Sequence, residues 1–417
     1  MAHVVPFEAV RYNTSRFGRD LTRFVAPPYD VIDPSLEKAL KQDRLNITYI
    51  TLGDRGDGYA LAAQRLRTWL CDKVLVRDEG KCFYMYEQTF AGPDGRPRVR
   101  WGLVGLIRLE DFESGVIMPH ERTIPKHRAD RLALLRAVKG NMEQVFMLYS
   151  DPSGEIDSLL REARTREEEL RFVDHDGVGH RIVRLAEPST VQHITDRFTD
   201  IPLLIADGHH RYETALEYRD MMRSLEGKSG EKPYDFILGT MVSSANPGLI
   251  VFPTHRLVRA VDERLLADLP RRLEEEFVLS SFETPDELAS AVETAEGAAF
   301  GVWVPSSNTM LLATRKHKTL AGNPMEDLPV YIVQEMVLKR LLGYTDQMLD
   351  SKVNIEYVKG TGPAKDAMST DQYQACFFLK PPTVAQVMAV ARTGQKLPHK
   401  STYFYPKIWS GALMYLF

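Results

Sequence analysis

Apolar positions along this chain recur in some stretches at helical spacing and in others at every second residue. Leu36, Ala39 and Leu40 mark a helix over about 36–43, and Ala60, Leu61, Leu66 and Trp69 mark a second over 58–74. Residues 82–90 read as a strand rich in aromatics, 91–96 (Ala-Gly-Pro-Asp-Gly-Arg) as a hairpin loop, and 98–109 as its return strand. The pattern then predicts a helix over 129–139, a strand over 144–149, a charged helix over 155–170 and strands near Phe172 and Ile182. The run Ile201-Pro202-Leu203-Leu204-Ile205 reads as a buried strand, and Tyr212, Ala215, Leu216 and Arg219 as one face of the helix after it. A strand over 236–242, helices over 263–275 and 285–295, and a strand pair over 298–304 and 309–314 complete the series. Helices and strands alternate throughout, which makes the class α+β (mixed α/β). Three units are expected: an N-terminal α/β unit over 1–109, a central core over 110–247 and a C-terminal α/β unit over 248–417.

Between the strand ending at Ile205 and the following helix stand Asp207, Gly208, His209, His210 and Arg211. Unpaired N–H groups and the macrodipole make a helix N-terminus favourable to an anion, and a phosphate is the natural occupant. Gly208 permits a tight turn with close approach of its N–H, and Arg211 offers a planar fork for two phosphate oxygens. His209 and His210 can donate in either protonation state. Asp207 can cap the helix or hold a magnesium ion against the phosphates. The plainer alternative is a capped helix with two surface histidines, but this cluster exceeds what capping needs. Zinc is disfavoured, because adjacent histidines do not share a helix face and no nearby Cys or His has ligand spacing.

Composition narrows the classes. Lys+Arg total 53 against 57 Asp+Glu in 417 residues, a net charge of −4, so nothing suggests a coat for nucleic acid or an anionic membrane. Cys71, Cys82 and Cys376 are scattered, which argues against a disulfide framework and for a reducing cytoplasm. No leader-like segment and no apolar run of membrane-spanning length is visible, so the expectation is a cytoplasmic protein with no membrane partner; a homodimer is left open.

Four further stretches are more polar than a core requires. The prolines of Ala26-Pro27-Pro28-Tyr29-Asp30 stiffen a loop that presents Tyr29 and Asp30, either as site residues or as the approach to a helix cap. His120-Glu121 is followed by Lys126, His127, Arg128, Asp130 and Arg131. A glutamate among such charges stays ionised, and near a bound phosphate it can take the proton of an attacking hydroxyl; in the alternative it belongs to a surface ion-pair network. Thr254, His255 and Arg256 close a buried strand, where they bond a polar ligand or cap a loop. In 399–407, Lys400 and Lys407 are ligand candidates beside packed aromatics.

Together PPYDVI (27–32), PHERT (119–123), Asp130-Arg131, ADGHHRYETAL (206–216), PTHRLV (253–258) and KSTYFYPK (400–407) resemble a bacterial family catalogued as a domain of unknown function, over nearly the whole chain. The middle unit further resembles the ParB/sulfiredoxin superfamily, in whose free L-serine kinases a catalytic glutamate precedes a strand–Asp-Gly-His-His-Arg–helix element. The resemblance implies a ParB/sulfiredoxin-like core and a kinase moving a phosphoryl group from ATP or ADP to the hydroxyl of free L-serine or a similar amino acid. It implies Glu121 as the base, Asp207 and His209 as catalytic groups with Asp207 on Mg2+, and Gly208, His209, His210 and Arg211 on the phosphates. Tyr29, Asp30, His120, Thr254, His255, Arg256 and Lys400 are the expected substrate contacts. Two departures stand out: long additions and a long insert between Glu121 and Asp207, and Glu143-Gln144 where the family often has Ser-Pro. A nucleotide-gated ParB-like binding protein is the alternative, but it needs a helix-turn-helix and a basic face, and neither is visible. A sulfiredoxin-like enzyme needs a cysteine where His209 or His210 stands.

Overall fold

The computed structural model describes residues 2–53, 58–121, 125–227, 229–317, 323–370 and 372–417, the side chains of 125–127 excepted. The class is α+β, as the alternating pattern predicts. The chain forms two compact units. Unit 1 comprises Met1–Pro119, Thr123–Ile250 and Pro406–Phe417, and unit 2 comprises His120–Arg122 and Val251–Tyr405. Among the described residues no helix is long and apolar enough to cross a membrane.

In unit 1, nine strands among the described residues form one sheet: β1 (Val4–Val5), β2 (Phe83–Ala91), β3 (Pro97–Arg108), β4 (Ile117–Met118), β5 (Val145–Tyr149), β6 (Leu170–Val173), β7 (Gly179–Leu185), β8 (Leu203–Asp207) and β9 (Phe236–Ser243). Their order is β4-β8-β5-β9-β3-β2-β7-β6, with β1 paired to β3. The pairs β8–β4 and β9–β5 are parallel and the others antiparallel. The β2–β3 hairpin closes with Ala91 opposite Pro97, as the Gly-Pro-Asp-Gly loop predicts.

Side-chain alternation gives this sheet two different faces. Phe83, Met85, Leu103, Ile107, Val145, Met147, Leu203, Ile205, Ile237 and Met241 point into an apolar core with Ile156, Leu160, Ile194 and Phe198 from the helices Glu155–Ala163 and Pro188–Phe198. The intervening residues on the other face include Tyr86, Gln88, Arg100, Gln144 and Thr240, of which the last four are buried polar groups. The expected charged helix over 155–170 ends at Ala163, because Leu170–Val173 pairs with β7 instead. Tertiary pairing there overrides helix propensity.

Among its described residues unit 2 carries a six-stranded antiparallel sheet built from β10 (Thr254–Val258), β11 (Phe277–Ser281), β12 (Ala299–Val304), β13 (Thr309–Arg315), β14 (Ile355–Lys359) and β15 (Ala375–Leu379), in the order β11-β13-β12-β15-β10-β14. Leu257, Met310, Cys376 and Phe378 pack with Leu288, Val292, Ala364 and Met368 from the helices Pro285–Thr294 and Thr361–Met368. The β12–β13 hairpin is the strand pair that the apolar alternation predicts.

Candidate functional site

A break in the register of β8 builds the turn that follows it. Ile205 sits opposite Met147, but Asp207 sits opposite Phe146, so two residues of β8 face one of β5. Such a bulge bends the strand and exchanges the faces of the residues beyond it. Without it, Asp207 would follow Leu203 and Ile205 into the apolar core; with it, Asp207 shares the polar face of Gln144. Gly208 comes next, in the left-handed region at φ 93°, and as the N-cap of the helix His209–Glu226 it has no side chain to offer the first N–H groups. A Cβ on residue 208 would lie 2.9 Å from Arg211 Nε, so the guanidinium packs against this glycine.

The carboxylate of Asp207 is held from both sides. Oδ2 accepts from Arg211 Nη2 at 2.9 Å and Oδ1 from Lys407 Nζ at 2.6 Å. Arg211 Nη1 donates to the Gln144 carbonyl, and Thr240 Oγ1 donates to Gln144 Oε1. Arg211 Nε and Gln144 Nε2 are buried N–H groups with no hydrogen-bond partner. Burial works against the charge on Arg211, but Glu143, Asp207 and Asp30 outweigh it and raise its pKa. His209 is buried and His210 half-buried.

The proline-stiffened loop also belongs to unit 1. Tyr29–Val31 forms a 3-10 turn, with the Tyr29 N–H donating to Glu143 Oε1 at 3.2 Å and the Arg131 guanidinium 4.1 Å from the centre of the Tyr29 ring. Burial and the nearby Asp30 and Glu143 push the Tyr29 hydroxyl well above its usual range. Asp30 itself is exposed.

The remaining candidates lie in unit 2. His120 is fully buried and its Nε2 hydrogen-bonds Thr402 Oγ1 at 2.8 Å. Glu121 runs alongside Leu397, and its Oε1 accepts the Lys400 N–H at 2.9 Å with His399 Nδ1 at 3.8 Å. The main chain of Lys400, at φ 57°, makes this contact to the carboxylate. Arg256 Nη2 donates to the Lys400 carbonyl at 3.2 Å, and the guanidinium lies 5.2 Å from the Tyr357 ring centre. Burial lowers Arg256 to about 10, opposed by Tyr357 and Glu121. Of the basic run at 126–131, the described basic side chains are those of Arg128 and Arg131. Arg128 pairs with Glu213 and Glu217, and Arg131 with Asp130 and Glu143, all in unit 1. Arg122, Thr123 and the side chains of Lys126 and His127 lie outside the described residues.

The expected trio on β10 splits by alternation. Thr254 and Arg256 share one face, whereas His255 turns to the Leu257 side. There His255 Nδ1 accepts from the Leu379 N–H at 3.1 Å and the ring meets Phe378 edge-on. Burial, with Arg256 adding to it, pushes His255 down to about 4. In the unfolded chain it titrates near 6.5. Stability is therefore full above about pH 6.5 and falls as the pH drops toward 4, by about 3 kcal/mol, because only the unfolded state takes up the proton. Urea unfolding of the wild type and of His255→Gln at pH 7 and 4.5 is expected to show a smaller pH effect in the variant. An equal pH effect in both would refute the assignment.

With this geometry in hand, the relatives can be set beside it. Residues 4–331 match the family model described as "Protein of unknown function (DUF1015)". The chain belongs to the DUF1015 family. No curated protein matches it. Among solved structures it is similar to a free serine kinase in complex with AMP, at 16% identity and TM-score 0.37, covering 72% of this chain and 86% of that one. A conserved hypothetical protein from Pyrococcus furiosus gives 16% and 0.37, covering 75% and 94%. SbnI with a C-terminal truncation, from Staphylococcus aureus, gives 11% and 0.35, covering 75% and 81%.

In this DUF1015 protein the structure joins to the turn several residues that the motifs did not single out. Glu143 and Gln144 are the main ones, with Gln88 and Arg100 behind Lys407. Gln88 and Arg100 are directly opposed across the β2–β3 hairpin. Two large polar residues on the face opposite the apolar core of an aromatic-rich hairpin were the available signal.

Proposed function

We propose that this DUF1015 protein is a small-molecule kinase that transfers a phosphoryl group from ATP or ADP to the hydroxyl of free L-serine or a similar amino acid, through a ParB/sulfiredoxin-like core over 110–247. The observation that carries the reading is the glycine-led helix start behind the bulge. It combines outward N–H groups, a left-handed glycine and a buried guanidinium with an unsatisfied N–H. This is the arrangement an anion satisfies, and the Asp-Gly-His-His-Arg motif of the free-serine kinases supplies the identity of that anion.

In the proposed reaction Gly208, His209, His210 and Arg211 hold the nucleotide's terminal phosphates. The acceptor oxygen forms a bond to the terminal phosphorus, the bond to the bridging oxygen breaks, and the nucleotide leaves shortened by one phosphate. Glu121 takes the acceptor's proton, and Tyr29, Asp30, His120, Thr254, Arg256 and Lys400 are assigned to the amino acid. His255, turned toward the core side of its sheet, is left with a supporting role. Magnesium would neutralise charge on the phosphates. Asp207 is the carboxylate assigned to it, and binding the metal would require that carboxylate to give up a contact with Arg211 or Lys407. Positioning and charge neutralisation supply most of the rate in such transfers.

The test is incubation of the purified chain with Mg2+, ATP or ADP and a panel of free amino acids, read by phosphorus NMR. O-phospho-L-serine or a close analogue is the expected product. Unphosphorylated amino acids throughout, with both nucleotides, would sink the proposal.

A further inference from the structure

We infer that Lys407 is a phosphate-binding residue of the Asp207–Arg211 turn; the inference rests on the reading of that turn as a phosphate site. Lys407 lies outside the 4–331 span of the family match, and three observations place it in the site. Its Nζ is 2.6 Å from Asp207 Oδ1, and its side chain is only 11% exposed. Its main chain is held from below. Arg100 donates to the Pro406 carbonyl and Gln88 Nε2 to the Lys407 carbonyl at 2.8 Å, while Arg100 Nε also grips Gln88 Oε1 at 3.0 Å. Arg100 and Gln88 are 1% and 2% exposed. A guanidinium and an amide are costly to bury unless bonded, and here their bonds go to the two carbonyls that place the lysine.

The third observation is the turn itself. Lys407 stands beside a helix start led by a glycine, next to Arg211 Nε, a buried N–H with no hydrogen-bond partner on a side chain that is 10% exposed. A terminal phosphate at that start is an acceptor that both cations can share. The chemistry recognised is a terminal phosphate or diphosphate group, whether on a nucleoside diphosphate or as inorganic pyrophosphate.

The test measures calorimetric affinities for ADP and for inorganic pyrophosphate in the wild type, Lys407→Met and Lys407→Arg. Lys407→Met is expected to weaken both by about tenfold or more, the usual worth of a charged hydrogen bond, and Lys407→Arg to stay within a few-fold of wild type. Equal affinity in wild type and Lys407→Met overturns the inference. Lysine-dependent pyrophosphate binding without ADP binding upholds Lys407 and overturns the nucleotide reading; binding of neither overturns both. A second measurement needs no variant: pyrophosphate should slow modification of Lys407 by an amine-reactive reagent, followed by mass spectrometry. An unchanged rate refutes the contact.

Discussion

Glu121→Gln is expected to lower turnover by about 10²–10⁴-fold while leaving the KM for nucleotide nearly unchanged. Glutamine keeps the shape of glutamate, and its amide oxygen can still accept the Lys400 N–H that the carboxylate accepts at 2.9 Å. The segment around Lys400, tied by its carbonyl to Arg256, therefore stays in place. What the substitution removes is the negative charge and the capacity to take a proton from the acceptor hydroxyl. On the proposed mechanism that proton has no other assigned destination. The effect thus falls on kcat with nucleotide saturating, and not on binding of the nucleotide phosphates. Steady-state kinetics with nucleotide and amino acid varied separately check it. Wild-type turnover in the variant would remove Glu121 from the base role, and an equal rise in the nucleotide KM would make it a binding group instead.

Glu143→Ala is expected to bring the largest loss of stability, about 3–5 kcal/mol. The Glu143 side chain is 5% exposed and Arg131, its partner at 3.6 Å, is 4% exposed. One oxygen also accepts from the Tyr29 N–H and from Ser410 Oγ at 3.1 Å. Removing the carboxylate leaves a buried guanidinium undercompensated and two further donors unsatisfied. Arg131 keeps Tyr59 OH at 2.8 Å and the Thr51 carbonyl at 3.0 Å, which favours the lower end of the range. Asp130 makes the useful contrast. It meets Arg131 more closely, at 2.6 Å, but is half exposed, so Asp130→Ala should cost less than about 1 kcal/mol. Urea unfolding of the two variants decides between proximity and burial. Equal losses would refute the argument from burial.

The parts of this molecule that could be read from its residues are those whose cause is local. The β2–β3 hairpin announces itself by alternation on both sides of Gly-Pro-Asp-Gly, and the β12–β13 hairpin does so in the same way. The strand–turn–helix at 203–226 was equally plain, since its glycine, histidines and arginine stand together. Contacts between distant segments left no such trace. Nothing in Gln144 or Glu143 alone shows that β5 lies between β8 and β9, or that a one-residue bulge carries Asp207 to the polar face. In the basic run at 126–131, Arg128 and Arg131 pair with carboxylates at 213, 217 and 143, brought close only by folding. Lys400 and Lys407 looked alike as lysines among aromatics; the carbonyl-holding pair Gln88 and Arg100 is what distinguishes Lys407.

Unit 1 is completed by residues 406–417, after the chain has run through 251–405 of unit 2. Met414 then bridges to Val10, Ser410 to Ala26, and Tyr415-Leu416 to Gly140-Asn141. On the ribosome, residues 1–250 therefore wait with these seams open while 251–405 are translated. Closures between segments this distant in sequence are the slow kind, and an unsealed sheet invites aggregation meanwhile.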